Sequence, residues 1–179
     1  MHQIAVICGS LRKASTNAGL LRSIIGAQDK RFKFEWVDIS GFPVFNEDIE
    51  VKGIPADVQV ARDIVGKADA ILFGVPEYNY SIASPMKNAY DWLSRDDKNK
   101  YCPVTNKLGA FVSSGASRGG GNAQDHFRQS VIFRKLQILK PTSEAEFLVK
   151  RFSGKIFDDN GNLIDESTKK RVPLFLNEF

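Results

Sequence analysis

The sequence predicts an α/β fold with a doubly wound, five-stranded parallel sheet in the order 2-1-3-4-5 and helices on both faces. Two observations support this. Short continuous apolar runs alternate along the chain with segments of helical periodicity, which is typical of parallel strands covered on both faces. The chain has 179 residues, and five strands fit that length better than a closed barrel, which needs more chain. We therefore predict a single domain over residues 1–179.

The apolar runs and their periodicity place the predicted elements along the chain. Strands are expected at residues 4–8, 32–37, 70–73, 108–112 and 146–149, and the alternating second run suggests a strand nearer an edge. The first helix follows strand one, with Thr16 or Asn17 as its N-cap. Further helices are expected at residues 57–67, 85–93, 122–139 and 165–179, the last interrupted or bent near Pro173, and residues 40–55 are expected to form a loop.

In this sheet order the ligand site is expected at one place. Ligands bind outside the carboxyl ends of parallel strands, beside the point where the strand order reverses. That crevice lies next to strands one and three. The loops after strands one, three and four are therefore the ones to inspect for function, and all three have unusual compositions.

The loop after strand one, residues 9–17, favours a phosphate monoester. It opens a helix, whose N-terminus offers unpaired N–H groups and a partial positive charge. Ser10, Ser15 and Thr16 can donate hydroxyl hydrogens, Asn17 an amide hydrogen and Arg12 a charged fork. The loop contains neither G-x-G-x-x-G nor G-x-x-x-x-G-K-[ST], which disfavours a Rossmann site and a P-loop. A plain helix cap with surface basic residues is the alternative.

The loop after strand three carries two tyrosines and suits a flat aromatic ligand. Tyr78 and Tyr80 can form its walls, while Glu77 and Asn79 offer an acceptor and an amide to the edge of a heterocycle. Pro76 begins this loop at the end of the strand. The alternatives are that the tyrosines cover the adjacent helix or form a subunit contact, and both roles are compatible with ligand binding.

The loop after strand four is rich in glycine, which lets the backbone approach a ring closely. Ser113, Gly115, Gly119 and Gly120 are the candidate ligand-binding residues here, and a flexible turn is the alternative. Arg118 is a candidate for an anionic substrate or a nucleotide phosphate. A solvated arginine is the alternative for that residue.

Composition narrows the function classes. There are 25 Lys and Arg against 21 Asp and Glu, a net charge of +4, and this scattered excess does not predict nucleic-acid binding. Cys8 and Cys102 have no metal-ligand spacing, and no metal is predicted. His126 is expected at the surface or an interface. With no signal-peptide pattern and no apolar stretch long enough for a bilayer, we expect a cytoplasmic protein without a membrane partner.

Two motifs together resemble the NAD(P)H-dependent FMN reductases, the flavodoxin-like group that includes bacterial quinone, chromate and azo-dye reductases. The first is Gly9-Ser10-Leu11-Arg12 with Ser15 and Asn17. The second is the block of residues 76–81 followed by Lys87-Asn88-Ala89 and Asp91-Trp92. The tail, residues 157–161 with 165–168, is also similar to many members.

The resemblance implies a non-covalently bound FMN, with NAD(P)H as co-substrate. Hydride would pass from the nicotinamide to the flavin and then, in a ping-pong sequence, to a quinone, azo, chromate or free flavin acceptor. Ser10, Arg12, Ser15 and Asn17 would hold the phosphate. Residues 76–80 would border the isoalloxazine, and Ser113, Gly115 and neighbouring glycines would line its pyrimidine side. Tyr80 or water would supply a proton. Members commonly form homodimers or homotetramers.

Two segments depart from the family pattern: Ala83-Ser84-Pro85 stands where many members have Pro-Gly, and residues 140–144 replace a Gln-Pro-Glu sequence. Two other functions stay open at this stage. One is a flavodoxin-like electron carrier without enzyme activity, although such carriers are usually strongly acidic and this chain is slightly basic. The other is a regulatory protein that keeps the fold, with or without flavin.

Overall fold

The central sheet has the predicted order. The computed structural model describes residues 1–140, 142, 145–151 and 154–179. In that part of the chain the main strands are β1 (His2–Cys8), β2 (Phe32–Val37), β3 (Ala70–Gly74), β6 (Leu108–Gly115), β7 (Gln137–Ile138) and β8 (Phe147–Lys150). All pairings among them are parallel, in the order β2-β1-β3-β6, and both β7 and β8 pair with β6. The predicted fifth strand, residues 146–149, corresponds to β8. Strand β7 pairs with the earlier part of the same edge of β6.

A small hairpin, seven α-helices and a short 3₁₀ helix (Ile132–Arg134) complete the described elements. The hairpin pairs β4 (Glu77–Tyr78) with β5 (Ser81–Ile82) in antiparallel fashion. The helices are α1 (Thr16–Gly26), α2 (Glu47–Glu50), α3 (Ala56–Lys67), α4 (Ser84–Leu93), α5 (Gly121–Val131), α6 (Glu166–Lys169) and α7 (Arg171–Glu178). Among the described residues, no helix is long and apolar enough to cross a membrane.

The sheet has a hydrophobic core on each face because successive strand residues point to opposite sides. On one face, Phe73 and Phe111 pack against Phe127 of α5, with ring centroids 5.3 and 5.0 Å apart. On the other face, β-strand residues meet α1 and α7, and Phe147 contacts Phe175 at 5.5 Å. Both sides of β1, β3 and β6 are thus covered, as their continuous apolar runs predict.

The predicted helix at residues 122–139 is wrong in its second half. Helix α5 ends at Val131, a 3₁₀ turn covers Ile132–Arg134, and Lys135 adopts a φ of 55°. The chain then enters the sheet, where Gln137 N donates to Lys107 O at 2.8 Å. The apolar residues after Val131 suit either a helix or a strand, and pairing with the free edge of β6 decides for the strand.

Two other predictions about element boundaries differ from the structure, and a third is confirmed. The N-cap of α1 is Ser15 instead of Thr16 or Asn17, because Ser15 Oγ accepts a hydrogen bond from Ala18 N at 3.2 Å. The expected loop at 40–55 contains α2. The predicted interruption of the C-terminal helix near Pro173 is confirmed, because the helix breaks at Lys170 and Pro173 lies in the first turn of α7, where proline is tolerated. Of the departure at 140–144, three residues lie outside the described part of the chain: Pro141, Ser143 and Glu144.

Candidate functional site

A cavity of about 350 Å³ opens at the carboxyl ends of β1, β3, β6 and β8. The loops after strands one, three and four meet there, as the sheet order predicts. Most of the predicted site residues line this cavity: Ser10, Arg12, Ser15, Thr16, Asn17, Pro76, Glu77, Tyr78, Asn79, Tyr80 and Gly115. It is also lined by four residues that the sequence did not single out: Ser114, Ala116, Ser117 and Arg151.

The first turn of α1 forms one wall of the cavity. Ser15 caps the helix through its hydroxyl oxygen, and its carbonyl accepts from Gly19 N at 2.9 Å. The amides of Thr16 and Asn17 belong to the first turn, where N–H groups have no partner within the helix. This wall therefore presents N–H groups and the positive end of the helix dipole to the cavity.

Asn17 fastens that turn to the end of β6. Ser114 N donates to Asn17 Oδ1 at 2.9 Å, and Asn17 Nδ2 donates to Ser114 O at 3.1 Å. Both residues are buried. The side chain of Asn17 is thus engaged in joining two walls of the cavity, a role that the sequence did not predict.

Ser114 also carries a buried hydroxyl without a partner. The residue is only 5% exposed and lines the cavity, yet none of the described residues hydrogen-bonds to its Oγ. Buried polar atoms are almost always hydrogen-bonded. A ligand with an acceptor oxygen, such as a phosphate or a sugar hydroxyl, would satisfy this atom.

Glu77 connects the opposite wall to helix α5. Its Oε2 accepts from Ala123 N at 3.2 Å, and its Oε1 accepts from Asn122 Nδ2, also at 3.2 Å. A carboxylate at this position caps the helix N-terminus and complements its dipole. Both oxygens are therefore occupied within the protein, and the carboxylate fixes the hairpin β4–β5 in place.

The hairpin tip forms the exposed rim of the cavity. Asn79 and Tyr80 occupy its two-residue turn with φ values of 50° and 59°, as a type I′ turn requires. Positive φ is costly for a tyrosine. Tyr78 and Tyr80 remain 64% and 76% exposed. The base of the hairpin is tied to α5 by a second contact, in which Ser81 Oγ and the exposed His126 Nδ1 are hydrogen-bonded at 2.9 Å.

Four predicted residues do not line the cavity: Ser113, Arg118, Gly119 and Gly120. Ser113 lies within strand β6 instead of beginning the loop, and its side chain points to the α5 face. There its Oγ donates to Gly119 O and accepts from Gln124 Nε2, both at 2.8 Å. Gly120 is the N-cap of α5. Arg118 donates to Asn122 Oδ1 at 2.6 Å and lies 3.6 Å from Asp125, so its guanidinium is held along α5.

Arg151 adds a cation from an unexpected element. It follows β8, and its backbone N donates to Gly115 O at 2.8 Å, which extends the parallel ladder by one residue. Reading the loop after the fifth predicted strand in the same way as the other three would have found it.

A buried thiol precedes the loop after β1. Cys8, at the end of β1, donates its thiol hydrogen to Ser10 O at a distance of 3.8 Å. Burial raises the pKa of this thiol, so it is held in the neutral form. No group of three or more metal-ligating side chains occurs among the described residues.

The second part of the 76–92 motif has a structural role. Asn88 Oδ1 accepts from Phe45 N at 2.8 Å, and Asn88 Nδ2 and Trp92 Nε1 both donate to Pro43 O, at 2.9 and 2.8 Å. These bonds fix the segment after β2 onto α4. That segment reaches the start of α2, so its course is set by α4 side chains.

Comparison with known proteins identifies the family. Residues 2–146 match the family model described as NADPH-dependent FMN reductase. The chain belongs to this family. It is 45% identical over 176 residues to a probable NADPH:quinone oxidoreductase 1 of Oryza sativa, covering 95% of this chain and 86% of the relative. It is 36% identical to an NAD(P)H-dependent FMN reductase of Pseudomonas aeruginosa, over 93% of this chain and 86% of the relative.

A solved structure supports the fold independently. The flavoenzyme FerB of Paracoccus denitrificans superposes with a TM-score of 0.80 at 24% identity, covering 99% of this chain and 96% of that one. Family membership confirms the predicted resemblance, the enzyme class, and FMN with NAD(P)H as the cofactor and co-substrate.

Proposed function

We propose that the cavity holds FMN and that the protein uses it to oxidise NAD(P)H and reduce quinones. The observation that carries this proposal is the meeting of the α1 N-terminus with the unpartnered Ser114 hydroxyl at the carboxyl ends of the strands. These donors suit a phosphorylated ligand. The cavity volume of about 350 Å³ lies in the range of small-molecule and cofactor sites.

The phosphate would bind at the start of α1. The N–H groups of the first turn, the hydroxyls of Ser10, Ser15 and Thr16, and the Arg12 guanidinium would surround it. Ser15 Oγ already accepts from Ala18 N, but its hydroxyl hydrogen can still be donated. Arg12 donates to Ala14 O, which keeps its charge beside the loop. Asn17 acts chiefly as the connector to β6.

The ring would lie against the hairpin. Residues 76–80 form the wall opposite α1, and Tyr78 and Tyr80 provide large aromatic surfaces at the rim. The end of β6, at Ser114 and Gly115, lines the same space, and Gly115 lets the backbone of Gly120 pack against this strand, because a Cβ there would lie 2.6 Å from Gly120 N. Glu77 acts here by holding the hairpin on α5.

Bound FMN would supply the redox chemistry, accepting hydride from NAD(P)H and passing electrons to a second substrate. The side chains then have to bind, orient and leave one ring face open. The rim is exposed at Tyr78 and Tyr80, which leaves room for successive binding of nucleotide and acceptor in a ping-pong sequence. The Tyr80 hydroxyl, or water, would provide a proton to the reduced acceptor.

Quinones are the first proposed acceptors because the Oryza sativa relative is described as a quinone oxidoreductase. An open ring face would also admit azo dyes, chromate and free flavin. A homodimer or homotetramer is also proposed, in which a neighbouring subunit would contact the outer side of the exposed aromatic hairpin tip and leave the mouth of the cavity open. The two cysteines are free and buried, which suits the cytoplasm proposed as its compartment.

Anaerobic reduction tests the proposal. The purified protein is loaded with FMN and mixed with NADPH or NADH, and the flavin absorbance is followed before a panel of acceptors is added. We expect the bound flavin to be reduced by at least one nucleotide and reoxidised by a quinone. Double-reciprocal plots of steady-state initial velocities should give parallel lines, as a ping-pong sequence requires. A protein that binds FMN but is reduced by neither nucleotide would be an electron carrier instead.

A further inference from the structure

A turn near the C-terminus packs against the start of α1 from outside the cavity. This C-terminal turn, residues 158–162, is closed by a bond from Gly161 N to Asp158 O at 2.9 Å. It is flanked by an antiparallel bridge between Phe157 and Leu163, and Leu163 is buried in the core beside α1. The turn is therefore anchored to the body of the protein.

Two glycines allow the turn and the helix to touch. A Cβ on Gly161 would lie 2.6 Å from Ala14 O and 3.0 Å from the carbonyl carbon of Ser15. A Cβ on Gly19 would lie 1.7 Å from Gly161 O. Gly161 also has a φ of 78°, where a side chain is strained. The backbones are thus in direct contact at the peptide that precedes α1.

A chain of polar side chains sets the turn against the helix. Arg22 of α1 donates to Asn162 Oδ1 at 2.8 Å. Asn162 Nδ2 donates to Asp158 Oδ2 at 3.0 Å, and Asn162 N donates to Asp158 Oδ1 at 2.7 Å. These hydrogen bonds hold the pKa of the Asp158 carboxyl below its usual value, so the acceptor stays charged near neutral pH.

We propose that the C-terminal turn positions the phosphate-binding end of α1, with Gly161 and Asn162 as positioning residues. The inference rests on the proposed function. Ala14 and Ser15 lie between the turn on one side and the cavity on the other, and Ser15 is both the cap of α1 and a cavity residue. A backbone held in this way keeps its donors aimed before the ligand arrives, which is the condition for strong anion binding.

The expected consequence is selective for the phosphate. FMN and riboflavin share the ring and the ribityl chain and differ in the phosphate alone. If the turn positions α1, then loosening it weakens FMN binding while riboflavin binding changes little. A residue that serves only the general stability of the protein would weaken both flavins to the same degree.

The experiment measures the dissociation constants of FMN and riboflavin by fluorescence titration of the full-length apoprotein. Gly161→Ala introduces the clash, and Asn162→Ala removes the side-chain links without adding atoms. Asp159→Ala is the matched control, because no described residue hydrogen-bonds to its side chain in the same turn. For both test variants we expect FMN affinity to fall about tenfold, equivalent to about 1.4 kcal/mol, with riboflavin affinity within about twofold of wild type.

The outcomes separate this inference from the proposed function. Wild-type protein that binds neither flavin would refute the proposed function, and the positioning role with it. Wild-type protein that prefers FMN, with an unchanged FMN-to-riboflavin ratio in Asn162→Ala, would overturn the positioning role alone. Equal losses for both flavins would overturn it as well. If Gly161→Ala does not fold, Asn162→Ala decides the question.

Discussion

Asn17 and Ser114 exchange two buried hydrogen bonds, at 2.9 and 3.1 Å, between the first turn of α1 and the end of β6. The two residues are 97 positions apart in the chain. Their contact fixes the distance between the helix N-terminus and the Ser114 hydroxyl, the two features that argue for a phosphorylated ligand. Stability and ligand binding are therefore coupled at this pair.

Asn17→Ala is expected to destabilise the protein by about 2 kcal/mol, because Ser114 N–H and C=O would be left buried without these partners. Chemical denaturation of the apoprotein measures this. Ser23→Ala on the same helix is the control, since the Ser23 side chain makes no hydrogen bond among the described residues, and it should stay within about 0.5 kcal/mol of wild type. Equal free energies of unfolding for Asn17→Ala and Ser23→Ala would show that the hydrogen bonds between Asn17 and Ser114 do not stabilise the protein.

Ser114→Ala is expected to separate stability from binding. Removing a hydroxyl that has no partner leaves the apoprotein at least as stable as wild type, while FMN affinity falls about tenfold because one donor is lost. Denaturation and fluorescence titration give the two values.

The neighbouring variant Ser113→Ala is the control for Ser114→Ala. Ser113 Oγ is hydrogen-bonded to Gly119 and Gln124, so its removal should cost about 1–3 kcal/mol of stability. Loss of stability in Ser114→Ala, with unchanged FMN binding, would show that its hydroxyl has a partner inside the protein.

Glu77→Ala is expected to lower the free energy of unfolding by about 1–2 kcal/mol, since two donors at the start of α5 lose their acceptor. Glu77→Gln keeps one acceptor oxygen and should fall between the alanine variant and wild type. Thermal or chemical denaturation ranks the three proteins. If all three have the same stability, then the carboxylate does not cap α5.

Stability should fall as the pH is raised above the ordinary thiol pKa of 9.0, because burial raises the pKa of Cys8 in the folded protein. In that range the unfolded chain has released a proton that the folded protein still holds, so alkaline pH favours unfolding. Burial also raises the pKa of Tyr90, so this residue contributes to the same loss of stability at alkaline pH. Cys8→Ala should show a shallower decline between pH 8 and about pH 10, and an identical pH profile would contradict this.

Tyr80→Phe tests the proton donor. The variant keeps the ring and removes only the hydroxyl, so FMN binding and reduction by NAD(P)H should be unchanged. If the hydroxyl supplies a proton, the quinone half-reaction should slow at least about tenfold. Stopped-flow measurement of each half-reaction separates the two steps. Wild-type rates in both would assign the proton to water.

Continuous apolar runs made most of the sheet predictable. Strands buried on both faces leave a clear pattern, and β1, β3, β6 and β8 lie where that pattern predicts, while β2 lies where its alternating run predicts a strand near an edge. The region after Val131 was misassigned because its apolar residues fit two periodicities. Residues 137–138 form a strand because they pair with the edge of β6. That edge exists only in the assembled sheet, so local sequence does not reveal it.

The cavity was predictable at the level of loops but less so at the level of atoms. Ser113 and Ser114 are adjacent in sequence, and only strand alternation determines that Ser114 faces the cavity. Glu77 was expected at the edge of a heterocycle, but its partner Ala123 lies 46 residues away, and no local pattern encodes that contact. Arg151 directly follows β8, outside the loops after strands one, three and four where the sheet order predicted the site.

A crystal structure of the protein with bound FMN would locate the flavin. We expect the phosphate within hydrogen-bond distance of the first-turn amides of α1, and the ring between residues 76–80 and the end of β6. Flavin density in the apolar groove beside Phe42 and Phe45, with no ligand at α1 in the same crystal, would contradict this placement.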